Sequence, residues 1–236
     1  MCQYQSVDGA AQAWHMSQLG SKAVGGAGLV ITEATAVLPE GRITPSCMGL
    51  WNDIQVEAIK PITAFIKSQG AVPGVQLAHA GRKGSSAQPW LGGQQLTDAE
   101  GGWNTVGPTD QPFDDDGTRL WKAPKQMQQD DIHKVQDAFV AAAKRALEAG
   151  YEFLEIHCAH GYLLHSFLSP LVNTRADSYG GSLKNRARML LETTEKGRDV
   201  WPQGLPLAVR LSMTDWVEGG LTVEDNIQVA TWLKAL

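Results

Sequence analysis

Strand-length apolar runs alternate with amphipathic helical patterns along this 236-residue chain. That alternation limits the fold more than any other feature. Gly28–Val37, Val72–Ala78, the run from Tyr151 through Ile156 to His157, and Pro206–Ser212 are rich in β-branched and apolar residues and read as strands. Gly9–Val24, Gln55–Gln69, Gln129–Ala149 and Lys184–Val200 have helical apolar spacing, and Thr222–Leu236 begins another helix. In Gln129–Ala149, for example, Ile132, Val135, Phe139, Ala142 and Ala146 form one stripe, and Gly150 closes it. Strands separated by helices pair in parallel through crossovers.

Two closures satisfy this order, an open doubly wound sheet and a (β/α)8 barrel. Side-chain alternation discriminates between them, because successive strand residues face opposite sides. Leu207-Ala208-Val209-Arg210-Leu211-Ser212 has Leu, Val, Leu on one face and Ala, Arg, Ser on the other. Phe153–His157 sets Leu and Ile against Phe, Glu and His, and Val75 and Leu77 alternate with Gly74, Gln76 and Ala78. A sheet covered on both sides is apolar on both. One apolar face and one small or polar face instead fit a TIM barrel, with helices outside and a ligand within. The expected fold is therefore an α/β (β/α)8 TIM barrel. It is incomplete, running from the end of strand 1 (Met1–Gln5) through the helix after strand 5. A full barrel has eight strands and about 250 residues, so the chain is expected to be a fragment lacking part of the first unit and the sixth to eighth. The whole of 1–236 reads as one partial barrel domain. A Gly-, Gln-, Asp- and Pro-rich excursion at about 81–128, after strand 3, is expected to carry a small hairpin and to lie over the site.

The site is expected at the C-terminal ends of the strands. Cys2 and Tyr4, Glu33-Ala34-Thr35, Gln76 and His79, His157 and His160, and Arg210 fall there. His157 and His160 cannot share a face of an extended strand. A helical turn after His157 would bring this i,i+3 pair together. Two imidazoles and the Tyr162 phenol aimed at one point suit gripping a carbonyl or anionic oxygen and supplying a proton. Arg210 lies in an otherwise apolar strand and needs a partner, either Glu155 on the neighbouring strand or an anionic ligand. Gln76 offers a donor and acceptors to a ring edge. Taken singly, such histidines are more often structural, and Cys2 alone reads as an ordinary near-terminal thiol. A metal site from His157, Cys158, His160 and His79 is disfavoured by the adjacent His-Cys pair and the lack of a nearby carboxylate. Gly180-Gly181 reads as a turn, and Trp90, Trp103 and Trp121 as local packing.

Bulk properties exclude several classes. A net charge of −5 favours neither nucleic acid nor an anionic membrane surface. No apolar run reaches spanning length; Ala23–Val37 is interrupted by Thr32, Glu33 and Thr35. Three scattered cysteines make no disulfide framework, so a reducing, cytoplasmic setting is expected.

Several motifs resemble the Old Yellow Enzyme family of flavin-dependent NADH:flavin oxidoreductases. They are His157-Cys158-Ala159-His160-Gly161-Tyr162-Leu163-Leu164, Phe167-Leu168-Ser169-Pro170, Asn173, Arg175, Asp177, Tyr179–Ser182 and Asn185-Arg186. Val75–Arg82 and Ile31–Val37 agree, and Met1–Tyr4 resembles the bacterial class that includes YqjM and xenobiotic reductase A. The resemblance implies FMN contacts from Cys2, Ala34, Gln76 and Arg210, with Cys2 tuning the flavin potential. It implies that Tyr4, His157 and His160 bind substrate, the histidines polarising its carbonyl, and that Tyr162 donates the proton. The implied reaction is ping-pong. NADPH or NADH reduces FMN, which then reduces the C=C bond of an enone or enal. A homo-oligomeric full-length enzyme is also implied, with no metal. Cys158 departs from the alanine common in the family. Because the phosphate-binding strand regions lie outside the chain, the chain alone is expected to bind FMN poorly and to aggregate. The alternative readings are a non-catalytic fragment of such an enzyme and a metal-dependent barrel hydrolase.

Overall fold

The computed structural model describes residues 1–113 and 121–236. Its centre is a parallel four-stranded sheet in the order β1 (Leu29–Ala36), β2 (Val72–Ala78), β5 (Phe153–Cys158) and β6 (Leu207–Leu211). The intervening helices are α1 (Ala13–Val24), α2 (Asp53–Ser68), α3 (Gln129–Glu148), α4 (Leu163–Leu168), α5 (Leu183–Val200) and α6 (Val223–Lys234). Side chains fix several starts. Asn52 Oδ1 accepts from Gln55 N–H and Gln55 Oε1 accepts from Asn52 N–H at α2. Thr222 and Asp225 do the same at α6, and at α5 Ser182 Oγ accepts from Asn185 N–H.

The apolar strand faces meet the helices as their periodicity requires. Val75 and Leu77 of β2 and Leu154 and Ile156 of β5 are buried in one core with Ile59, Ile62 and Ile66 of α2, Ile132, Val135 and Phe139 of α3, and Leu190 of α5. Burying each such side chain contributes about 1.5–3 kcal/mol. The other face is small and polar. In its lower part Leu29, Ile31 and Phe153 crowd Gly74, where a Cβ would lie 3.0–3.3 Å from all three side chains.

Above that level β1 changes phase. Ile31 pairs with Gly74, but Ala34 pairs with Gln76, so β1 spends one more residue than β2 over this interval. This irregularity moves Ala34 and Ala36, instead of Glu33 and Thr35, into line with Gln76 and Ala78. The row Ala34, Gln76, Glu155, Ala208 then crosses all four strands, and His157 pairs with Arg210 one step above it.

Three local expectations need correcting. Met1–Gln5 forms no strand; it is held beside β1 by Gln3 N–H donating to the Glu33 carboxylate. The first helix starts at Ala13, because Asp8 and Gly9 take positive φ and Val7 and Ala10 form a bridge. In the excursion, the named strands β3 (Val106–Gly107) and β4 (Lys125–Gln126) pair in parallel, so they are not a hairpin; the antiparallel contact there is an isolated Ser86–Gln95 bridge.

Candidate active site at the strand ends

β5 ends at Cys158, and the next four residues turn sharply before α4 begins at Leu163. His160 (φ 61°) and Gly161 (φ 74°) are both left-handed. Gly161 takes this conformation freely, whereas for His160 it costs of order 1–3 kcal/mol. Two contacts hold it. Lys83 Nζ donates to the His160 carbonyl at 2.9 Å, and His160 N–H donates to Ser212 Oγ at 2.9 Å. The histidines are therefore brought together by a left-handed turn, not by the helical turn that their spacing suggested.

Three rings converge there. His157 meets His160 edge to face with centroids 5.1 Å apart, and it meets Tyr162 in the same way at 5.1 Å. His160 and Tyr162 are 6.4 Å apart. His157 Nδ1 accepts Ala159 N–H at 3.2 Å, so its proton resides on Nε2. Burial, helped by His160, Arg210, His165 and Lys83, pushes His157 down to about 3, so the ring is a neutral Nε2–H donor at neutral pH. Burial and the same cations lower His160 as well. Tyr162 is pushed up by burial, then by Cys2 and Cys47, and so stays protonated.

His165, the next histidine along, is structural. Its Nδ1 accepts Gly161 N–H, and its Nε2 lies 3.1 Å from Asp215 Oδ1. Asp215 also accepts from Ser169 Oγ and Leu221 N–H, tying α4 to the loop after β6. His79 is buried, with Nδ1 accepting Gly81 N–H, and burial pushes it down to about 4.

Arg210 requires a correction. It is exposed on the outermost strand, with no hydrogen bond or ion pair among the described residues. Glu155 does not pair with it. Instead Glu155 Oε1 accepts from Gln76 Nε2 at 2.6 Å. The charge of Arg210 is still felt across the sheet, since it depresses both His157 and His160.

The N-terminal segment closes the remaining side. Cys2 neighbours Cys47 and Tyr4. Tyr4 packs edge to face on Trp90 at 5.7 Å, and Phe113 on Trp121 at 5.1 Å. Tyr4, Lys83, Phe113, Trp121 and Tyr162 line a cavity of about 340 Å³, within the usual range for small-molecule sites. Lys83 stands over the Phe113 ring at 4.5 Å and the Tyr162 ring at 5.2 Å. The structure thus brings Cys2, Tyr4, His157, His160 and Tyr162 together, with Ala34, Gln76 and Arg210 on the adjoining sheet face. Lys83, Cys47 and Ser212 were missed in the sequence reading. Lys83 could have been found from its position directly after His79–Arg82. Among the described residues no group of three His, Cys, Asp or Glu side chains is placed to hold a metal, and no helix is long and apolar enough to cross a membrane.

Comparison with known proteins gives a consistent result. The model of the family described as NADH:flavin oxidoreductase / NADH oxidase matches residues 1–236. The chain is 47% identical over 229 residues to an NADH:flavin oxidoreductase of Gibberella zeae, covering 96% of the chain and 55% of that protein. It is 43% identical over 236 residues to an NADPH dehydrogenase of Bacillus velezensis, covering 99% of the chain and 64% of that protein. The structure superposes on Old Yellow Enzyme from Pichia sp. with a TM-score of 0.83 and 28% identity, covering all of this chain and 60% of the other. The chain therefore spans between about half and two thirds of the relatives' length, as an incomplete barrel would.

Proposed function

This chain belongs to the NADH:flavin oxidoreductase / NADH oxidase family, and from that premise we propose that the protein it forms part of is an FMN-dependent NAD(P)H oxidoreductase. Its proposed substrates are α,β-unsaturated carbonyl compounds, and the bond reduced is C=C. The observation that carries the reading is the arrangement around His157. Its Nδ1 is occupied by Ala159 N–H, which leaves Nε2 as the donor, and the rings of His160 and Tyr162 both pack edge to face with it.

The residues present fit the ring portion of FMN. The sheet face offers Arg210, which has no partner among the described residues, the Gln76 carboxamide and the small Ala34. Gln76 is already oriented by Glu155. FMN supplies the hydride carrier between the nicotinamide and the substrate. The chain's own residues do the rest. A neutral His157 donates Nε2–H to the substrate carbonyl oxygen, and His160 adds a second contact there. Together they draw electron density from the conjugated alkene. Tyr162, kept protonated by burial, is the acid that delivers a proton to Cα. The cavity under Tyr4 and Phe113 holds the remainder of the substrate.

The test is an absorbance experiment on the full-length protein after incubation with FMN and desalting. Retained flavin bands, bleached by NADPH without oxygen and restored by cyclohexenone, are the expected result. Bleaching without restoration by any enone would refute the assigned substrate class. The 236-residue chain alone is expected to hold FMN weakly. β6 is an edge strand of the sheet and is only partly buried.

A further inference from the structure

Tyr4 lines the substrate cavity from a left-handed backbone, with φ 52°. A tyrosine takes that conformation at a steric cost and keeps it only where its neighbours hold the chain on both sides. Before it, Gln3 N–H donates to Glu33 Oε2, and Gln3 Oε1 accepts Trp14 Nε1–H at 3.2 Å. After it, Ser6 N–H donates to Ser46 O at 3.0 Å, and Ser6 Oγ lies 3.4 Å from His15 Nε2.

The two holds meet in one buried pair. His15 Nδ1 accepts Gln12 N–H at 2.9 Å, so Nε2 carries the proton, and that N–H donates to Glu33 Oε1 at 3.1 Å. The two side chains are 1% and 2% exposed, so water does not replace a lost partner. Glu33 reaches this position through the register shift of β1. Ala34 takes the place in line with Gln76, and the Glu33 carboxylate meets α1, which carries His15. One carboxylate oxygen is thus held by α1 and the other by the segment before Tyr4. Neither His15 nor Glu33 lines the cavity.

We propose that His15 and Glu33 are positioning residues, a buried clamp that fixes Tyr4 in its left-handed conformation and so sets its ring in the wall of the substrate cavity. The effect of this clamp on substrate rests on the function proposed above. Its chemistry is specific to a carboxylate. Both groups that face Glu33 are donors, Gln3 N–H and His15 Nε2–H. An amide in that place has one acceptor and one donor, so whichever way it turns, it sets N–H against N–H at one of them. The segment then loses an anchor, while the side chain keeps its shape. The strain at Tyr4 is released by backbone rotation, and the ring leaves its edge-to-face contact on Trp90. His157 and His160 are held by separate contacts from Ala159, Lys83 and Ser212, and they stay in place.

The experiment compares wild type with Glu33→Gln in the full-length protein. Hydrogen exchange is read first, because it needs no substrate. The amides of residues 3–6 are expected to exchange about tenfold faster in the variant, with those of Leu163–Leu168 unchanged. Stopped flow is read second. The Kd for cyclohexenone in the reoxidation step is expected to rise about tenfold, with the limiting rate within about twofold of wild type. In a Tyr4→Ala background the same substitution is expected to leave Kd nearly unchanged. Should Glu33→Gln not fold, Glu33→Asp, which draws the carboxylate back by one methylene, carries the same comparison with the same pattern expected. Unchanged exchange at residues 3–6, exchange raised equally in α4, a limiting rate that falls in step with affinity, or an undiminished effect in the Tyr4→Ala background would each overturn the proposal. A wild-type protein that reduces no enone would refute the functional reading, and the exchange comparison would still decide the clamp.

Discussion

Tyr162 stands at the N-cap of α4 with its ring edge to face on His157, the centroids 5.1 Å apart and the planes at 88°. A phenol kept protonated by burial thus lies against an imidazole kept neutral by burial. Neither ring carries charge at neutral pH, and both present a proton. Tyr162→Phe in the full-length enzyme is expected to preserve the packing and remove the acid. The substrate-reducing step should slow by about 10²–10⁴-fold, with flavin reduction by NADPH unchanged. Stopped-flow measurement of the two half-reactions checks this.

Acid stability follows from the buried histidines. His157 is depressed to about 3 and His79 to about 4, both mainly by burial, against an ordinary value of 6.5. Between these limits the unfolded chain binds protons that the folded chain refuses. The stabilisation is complete above about pH 6.5 and is lost as pH falls toward 4 and then 3. Thermal unfolding followed from pH 7 to pH 4.5 should show a falling midpoint. His79→Asn, which keeps an acceptor for Gly81 N–H, should flatten that fall. An unchanged slope in this variant would mean that His79 is protonated in the fold.

The loop after β2 approaches α4 closely. Gly81 has φ 58°, and a Cβ there would lie 3.0 Å from Leu163 Cα. Leu163 is backbone-bonded to His79, so this contact joins the end of β2 to the helix that Tyr162 caps. Gly81→Ala is expected to cost about 1–3 kcal/mol, read as a lower urea midpoint with an unchanged slope.

Arg175 is among the side chains that fasten the excursion. Arg175 is buried; its Nη1 donates to Pro108 O at 2.8 Å and Met127 O at 2.7 Å, and its other nitrogens bind Asp177. It clamps both ends of the segment that carries Phe113 and Trp121. Arg175→Ala leaves two acceptors unpaired, at roughly 2–5 kcal/mol in total. Limited proteolysis should then cut first within residues 81–128, ahead of the sheet and helices.

Most of the frame was legible because periodicity is local. The α3 stripe of Ile132, Val135, Phe139, Ala142 and Ala146 is buried as its spacing implied. Strand faces on β2 and β5 likewise follow from alternation. What escaped were features set by pairing at a distance. The register shift that turns Ala34 inward depends on how β1 meets β2, and nothing in the run Leu29–Ala36 marks it. The convergence of His157 and His160 was read correctly as an outcome and wrongly as a cause. A left-handed histidine has no sequence signature, and its supports, Lys83 and Ser212, come from other strand ends. Arg210 looked buried because its neighbours are apolar. It is exposed because β6 is the last strand of the sheet. Glu155, its apparent partner, is taken by Gln76.

The proposed reaction requires the Nε2–H of His157 to act on substrate alone. The most direct test compares His157→Asn with His157→Gln in the full-length enzyme, following both half-reactions. Asparagine can keep the acceptor for Ala159 N–H but lacks a donor at the Nε2 position, whereas glutamine reaches that position. Predicted for asparagine is normal bleaching by NADPH with reoxidation by cyclohexenone slowed by about 10²–10³-fold, and for glutamine partial recovery. Equal reoxidation in wild type and both variants, with the slowing confined to reduction by NADPH, would contradict it.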